Sequence, residues 1–117
     1  MAQRRNVVRL SDALPQHVGA GLWQATARHG AAALGRDAGV LAPGMRADWV
    51  VLDTDHPRAW GRQGDHLVDT WVMAGGRELV REVWVAGERV VAEGVHVRHR
   101  QVAASCRAAM KRLFARL

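Results

Sequence analysis

A chain of 117 residues is long enough for one domain of ordinary size, or for part of a larger one, and too short for two. A complete (β/α)8 barrel, which takes roughly 200 residues or more, is excluded. The composition, 49% hydrophobic and 24% charged, is globular rather than disordered, and no apolar run approaches the ~20 residues of a membrane span. The one cysteine, Cys106, can close no internal disulfide and supplies no thiolate cluster for zinc. A reducing compartment, the cytoplasm, is expected.

The formal charge of +6 is unevenly placed. Residues 1–9 carry +3 on Arg4, Arg5 and Arg9, residues 98–117 carry +6 without an acid, and the middle of the chain carries −3. Lys111 is the only lysine beside sixteen arginines. A basic stripe alone is a weak footprint of nucleic-acid binding, and a solvated helix face is the simpler reading. Arg4-Arg5 is superficially like an export signal, but the polar, proline-broken stretch from Ser11 to His17 follows where an apolar segment should stand.

In chain order, residues 1–19 read as an irregular lead-in around Pro15 and Gly19. Leu22, Trp23, Thr26, Ala27, Gly30, Ala31 and Leu34 then recur at three- and four-residue spacing, which predicts a helix over 20–35 with one buried stripe. Gly35 is placed to end it, with Arg28, His29 and Arg36 near its negative pole. The small residues of the stripe allow close approach to a sheet or barrel. Residues 36–46 form a loop punctuated by Gly39, Pro43 and Gly44.

The run Trp49-Val50-Val51-Leu52 between Asp48 and Asp53 predicts a strand buried on both faces. A polar loop over 54–65 and a short helix over 66–74 follow. Val80 to Ala86 and Arg89 to Ala92, flanking Gly87-Glu88, predict a β-hairpin closed by Gly94. From His99 to Leu117, the residues Val102, Cys106, Ala109, Met110, Leu113 and Leu117 share one stripe of a basic amphipathic helix.

Candidate chemistry is sparse. His96 and His99 are three apart beside Arg98 and Arg100, whose charges oppose a cation, and no histidine pair has the spacing of a metal pair on a strand or helix. Asp53, Asp55 and His56 could be ligands or an acid–base set, but acids before Pro57 are also ordinary turn residues. Cys106 reads as a buried packing residue. The segment Gly39–Gly44 lacks the lysine and spacing of a phosphate cradle. Trp23, Trp49, Trp60, Trp71 and Trp84 are spread over several elements and read as core.

The order of elements is nevertheless recognisable. The helix ending Ala31-Ala32-Ala33-Leu34-Gly35, followed by Gly39-Val40-Leu41-Ala42-Pro43-Gly44-Met45-Arg46-Ala47-Asp48-Trp49-Val50-Val51-Leu52-Asp53, resembles the C-terminal part of the metal-dependent amidohydrolase superfamily. The segment Val83-Trp84-Val85-Ala86-Gly87-Glu88-Arg89-Val90-Val91 is similar to a hairpin of the same superfamily. Asp55-His56-Pro57, Gly64-Asp65-His66-Leu67-Val68-Asp69-Thr70-Trp71-Val72 and Val80 to Val85 together resemble the formimidoylglutamate deiminase family of histidine degradation. Arg4-Arg5-Asn6-Val7-Val8 resembles the region that follows the last barrel strand there.

The resemblance implies an α+β fragment: residues 1–46 from the end of the barrel, 47–97 from the strands of a small composite β-sandwich, and 98–117 as a C-terminal helix. Members of the family hold zinc or another divalent metal on barrel strands and hydrolyse an amidine C–N bond with release of ammonia. None of those ligands can be carried over to a position in this chain. No catalytic, cofactor-binding or metal-binding residue is therefore assigned, and the chain by itself is expected to be inactive, of marginal stability, and without its own metal. Expected partners are a missing barrel segment or a second copy of the chain, with no membrane. The alternatives are a free-standing protein-binding module and, less favoured, a small basic nucleic-acid binder.

Overall fold

A computed structural model describes residues 17–116; of the lead-in read over 1–19, residues 1–16, with Arg4, Arg5 and Arg9, lie outside them, whereas Val18 and Gly19 already belong to a helix. The fold is α+β, and the described residues form three α-helices and one four-stranded antiparallel sheet. Helix α1 (Val18–Ala33) comes first, then strand β1 (Trp49–Leu52), helix α2 (Gly64–Thr70), and strands β2 (Val80–Val85), β3 (Glu88–Ala92) and β4 (Val95–His96), before helix α3 (His99–Phe114).

Helix α1 stops where its sequence says it should. Gly35 takes φ +60°, its N–H donates to the carbonyl of Ala32, and the N–H of Arg36 donates to Ala31. That is the paired closure a C′ glycine permits. Its apolar stripe is only partly covered: the first turn, Gly19–Gly21, is buried, whereas Leu22 and Trp23 are exposed and Leu34 is 74% exposed. The loop beyond α1 folds back onto it. Gly39, at φ +88°, sits so close to the Ala27 carbonyl that a side chain there would strike it.

The sheet runs in the order β1-β2-β3-β4. Among the described residues strand β1 is therefore an edge strand, and its four residues are half-buried rather than enclosed on both faces. An apolar run alone cannot tell a central strand from an edge strand whose outer side faces a cleft. The β2–β3 hairpin forms, but its turn is Ala86 (φ +53°) and Gly87 (φ +80°), one residue earlier than the expected Gly87-Glu88, and Glu88 opens β3. Both positions sit in the left-handed region that two-residue hairpin turns require. Ala86 is held there by an N–H bond to Asp48 Oδ1 at 2.7 Å, and Gly87 N–H bonds the Ala47 carbonyl at 2.8 Å.

Gly94 does not end the sheet. With Glu93 (φ +48°) it forms a second such turn, and β4 pairs Val95 with Ala92 and His96 with Val91. The expected loop over 54–65 contains a 3-10 turn, Pro57–Ala59, and α2 begins at Gly64 rather than 66. From Trp71 to Gly75 the helix widens into a π turn. Leu79, wholly buried, lies so tightly against Gly75 that a side chain on Gly75 would overlap it.

The tryptophans form pairs rather than one core. Trp49 and Trp84 are register partners on β1 and β2, with rings stacked at 5.0 Å and 16°. Trp23 of α1 meets Trp71 edge-on at 4.5 Å. None of the five is fully buried, and two depart outright from the expected core: Trp23 is 42% exposed, and Trp60 is 68% exposed, its indole N–H bonding the Asp55 carbonyl on the surface. Cys106 also departs. It is exposed, because α3 takes part in none of the extensive packing between elements.

Candidate functional site

A cleft of about 830 Å³ lies between α1, residues 36–41 and the β1 side of the sheet. Trp23, Ala27, Ala31 and Leu34 line one wall, Val40 and Leu41 one end, and Val50, Leu52, Val83 and Val85 the other wall. Trp71 and Val68 close its base. Arg28, Arg36 and Arg46 are its basic members, and its one acid, Asp48, is engaged by Arg46 at 3.0 Å and by the Ala86 amide. A cleft of this volume could hold a ligand, but it lacks convergent polar groups that would orient one. Among the described residues it is a largely apolar cleft with nothing packed into it.

The titratable residues singled out in the sequence are engaged locally. Asp53 Oδ1 accepts the N–H of Asp55 at 3.0 Å, and His56 Nδ1 accepts that of Arg58 at 3.2 Å. These are the short-range side-chain caps that turns use. His96 Nδ1 accepts the N–H of Arg98 at 3.1 Å in the same way, at the entry to α3.

A different cluster is assembled by the tertiary structure. His17 Nδ1 donates to Asp69 Oδ2 at 2.9 Å, and the Ala20 N–H donates to Asp69 Oδ1 at 3.0 Å. The His66 ring stands edge-on to His17 at 4.3 Å. Partial burial pushes the Asp69 carboxyl up, but the amide of Ala20, the His17 imidazole and the amide of Gly19 together hold it below the ordinary carboxylate range. His17 provides no side-chain cap of its own to α1. Asp69, from another helix, caps α1 instead, and Gly19 makes room for it: a Cβ there would fall 2.7 Å from Asp69 Cα. Asp69 and His66 stood in the sequence only as part of a family-like segment; no spacing rule joins them to His17.

On the sheet, Trp84 Nε1 donates to Glu82 Oε2 at 2.8 Å, Arg89 reaches Glu82 Oε1 at 3.3 Å, and the Arg89 guanidinium lies 5.9 Å from the Trp84 ring centre. The indole hydrogen bond, with Arg89 adding to it, draws Glu82 below the usual range despite its partial burial. Both acidic sites are thus structural ties, with their oxygens already occupied.

A zinc site does not fit the described residues. Among them, no group of three or more His, Cys, Asp or Glu side chains is arranged to hold a metal ion. The Asp69 oxygens are taken up by His17 and the α1 amide. No described helix is long and apolar enough to cross a membrane.

No family model matches the chain. It is 46% identical over 79 residues to a formimidoylglutamate deiminase of Pseudomonas aeruginosa. The match covers 68% of this chain and 17% of that protein. The chain is a partial relative of that deiminase and spans less than a fifth of its length.

Proposed function

We propose that this chain is the C-terminal portion of a formimidoylglutamate deiminase-like amidohydrolase, acting in histidine degradation as part of a larger, metal-dependent catalyst. The observation that carries this reading is the 46% identity over 79 residues. In that role residues 1–46 end a barrel, 47–97 belong to a composite β-sandwich, and 98–117 form the closing helix. The reaction is hydrolysis of an amidine C–N bond with release of ammonia, and the metal and its ligands belong to the barrel.

The chain's own contribution is a scaffold. Metal-assisted hydrolysis needs a Lewis-acid site and a base, and Asp53, His56, Asp69, Glu82 and His96 are engaged in turns, caps and sheet ties. The uncovered cleft between α1 and β1 supports the reading, since it offers an apolar wall for the catalytic portion to lie against.

Purified chain supplied with zinc and N-formimidoyl-L-glutamate is expected to release no ammonia above the blank. Co-expression with the unmatched portion of the Pseudomonas deiminase is expected to restore release. Turnover by the chain alone overturns the reading of it as a non-catalytic portion. A second reading, a non-enzymatic module that binds another protein, is favoured by the same cleft; it predicts a stable complex without deiminase activity in that co-expression.

A further inference from the structure

A hollow of about 470 Å³, sharing no residue with the apolar cleft, is lined by Pro57, Arg58, Trp60, Arg62, Thr70 and Ala74. The loop that builds it is tied at each step. Asp53 Oδ1 accepts the N–H of Asp55, His56 accepts those of Arg58 and Ala59, and the Ala59 carbonyl accepts that of Arg62. Trp60 rides on this loop as a fixed platform. Its indole N–H is spent on the Asp55 carbonyl at 2.8 Å, yet the residue is 68% exposed, and among the described residues no ring or cation stacks on it. With its one donor used, the ring has only its faces to offer. Arg58 is fixed as well. Its Nη1 donates to Glu78 Oε1 at 2.7 Å and to the Ala74 carbonyl at 3.0 Å, which leaves its Nε and Nη2 donors unused among the described residues. Arg62 enters no ion pair among the described residues, and no acid lines the hollow.

We propose that this hollow binds a small molecule that joins a flat aromatic ring to an anionic group, the ring lying on Trp60 and the anion taken up by Arg62 with the spare donors of Arg58. An open indole face stacks on any flat ring. Glu78 offsets one of the two positive charges, and the other is left for the ligand. A guanidinium offers a carboxylate or a phosphate paired N–H donors. The hollow has the size of a small-molecule site, and a platform already held in place loses little freedom on binding. A duplex would present its phosphates with its bases stacked away from Trp60. The site rests on residues of this chain and stands whether or not the deiminase reading does.

The test uses the full chain with isotope-labelled tryptophan, whose indole signals are followed by NMR; the signal lost in Trp60→Phe belongs to Trp60. Probes are AMP and indoleacetate, each a ring with an anion. Comparators are adenosine and indole, which lack the anion, and phosphate and acetate, which lack the ring. AMP or indoleacetate is expected to shift the Trp60 signal and to bind about tenfold tighter than its ring or its anion alone. The tighter of the two names the anion as phosphate or carboxylate. By calorimetry, Arg62→Ala and Trp60→Ala are each expected to cost about tenfold in affinity, whereas Trp60→Phe stays within about threefold because stacking survives without the indole N–H. Arg107→Ala on the distant α3 is expected to change affinity less than about twofold. No shift of the Trp60 signal at about 10 mM of either probe overturns the site. Equal binding of each probe and its uncharged ring overturns the anion, and equal losses in Arg62→Ala and Arg107→Ala reduce the binding to diffuse charge and overturn it too.

Discussion

Asp69 Oδ2 accepts a hydrogen bond from His17 Nδ1 across 52 residues of sequence, and the second oxygen of the same carboxylate caps the amide of Ala20. One side chain on α2 therefore anchors the start of α1. A negative group at a helix N-terminus satisfies unpaired N–H groups and faces the positive end of the helix dipole.

Because the folded state holds the Asp69 carboxyl below its ordinary range, this anchor stabilises the protein above the normal carboxylate titration. Its contribution is lost as pH falls through the lowered folded-state value. Asp69→Asn is expected to lower Tm at neutral pH and to remove part of the acid dependence of Tm. Melting curves at several pH values check this; an acid dependence unchanged in Asp69→Asn would refute the anchor.

Two glycines of α1 give opposite signs. Gly19→Ala places a methyl 2.7 Å from Asp69 Cα and 3.3 Å from Val72 Cβ. The clash is with backbone, so it outweighs the gain in helix propensity and costs about 2 kcal/mol. Gly30→Ala meets nothing within 4 Å and is expected to stabilise by about 0.5–1 kcal/mol. Urea titrations of the two variants should move their midpoints in opposite directions.

The buried core and the exposed helix α3 separate in the same way. Leu79 is wholly buried against Gly75, so Leu79→Ala is expected to cost about 3 kcal/mol. Leu113, 55% exposed on α3, is expected to change stability by less than about 0.5 kcal/mol when replaced by alanine. Similar midpoint shifts in both variants would mean that α3 is packed against the body.

Cys106 is exposed, so its thiol should be labelled by a maleimide in native buffer as fully as in denaturant. Protection of the native thiol, released only by urea, is the outcome that contradicts an uncovered α3.

Much of the local structure was legible in the chain. The stripe from Leu22 to Leu34 with Gly35 behind it marks α1, and its closure follows from the glycine's freedom at φ +60°. The apolar runs flanking Gly87-Glu88 mark the hairpin, though its turn falls one residue earlier, and Val102 to Leu113 marks α3, because a helix or hairpin is decided by periodicity and turn chemistry over a few residues. The 46% identity likewise rests on sequence alone. Three-dimensional packing decided the rest. It made β1 an edge strand, exposed Cys106 and Trp60, and used His17 and Asp69 as a tie rather than as chemistry. Such outcomes depend on which element lies against which, and residues 52 positions apart share no local pattern that could announce their contact.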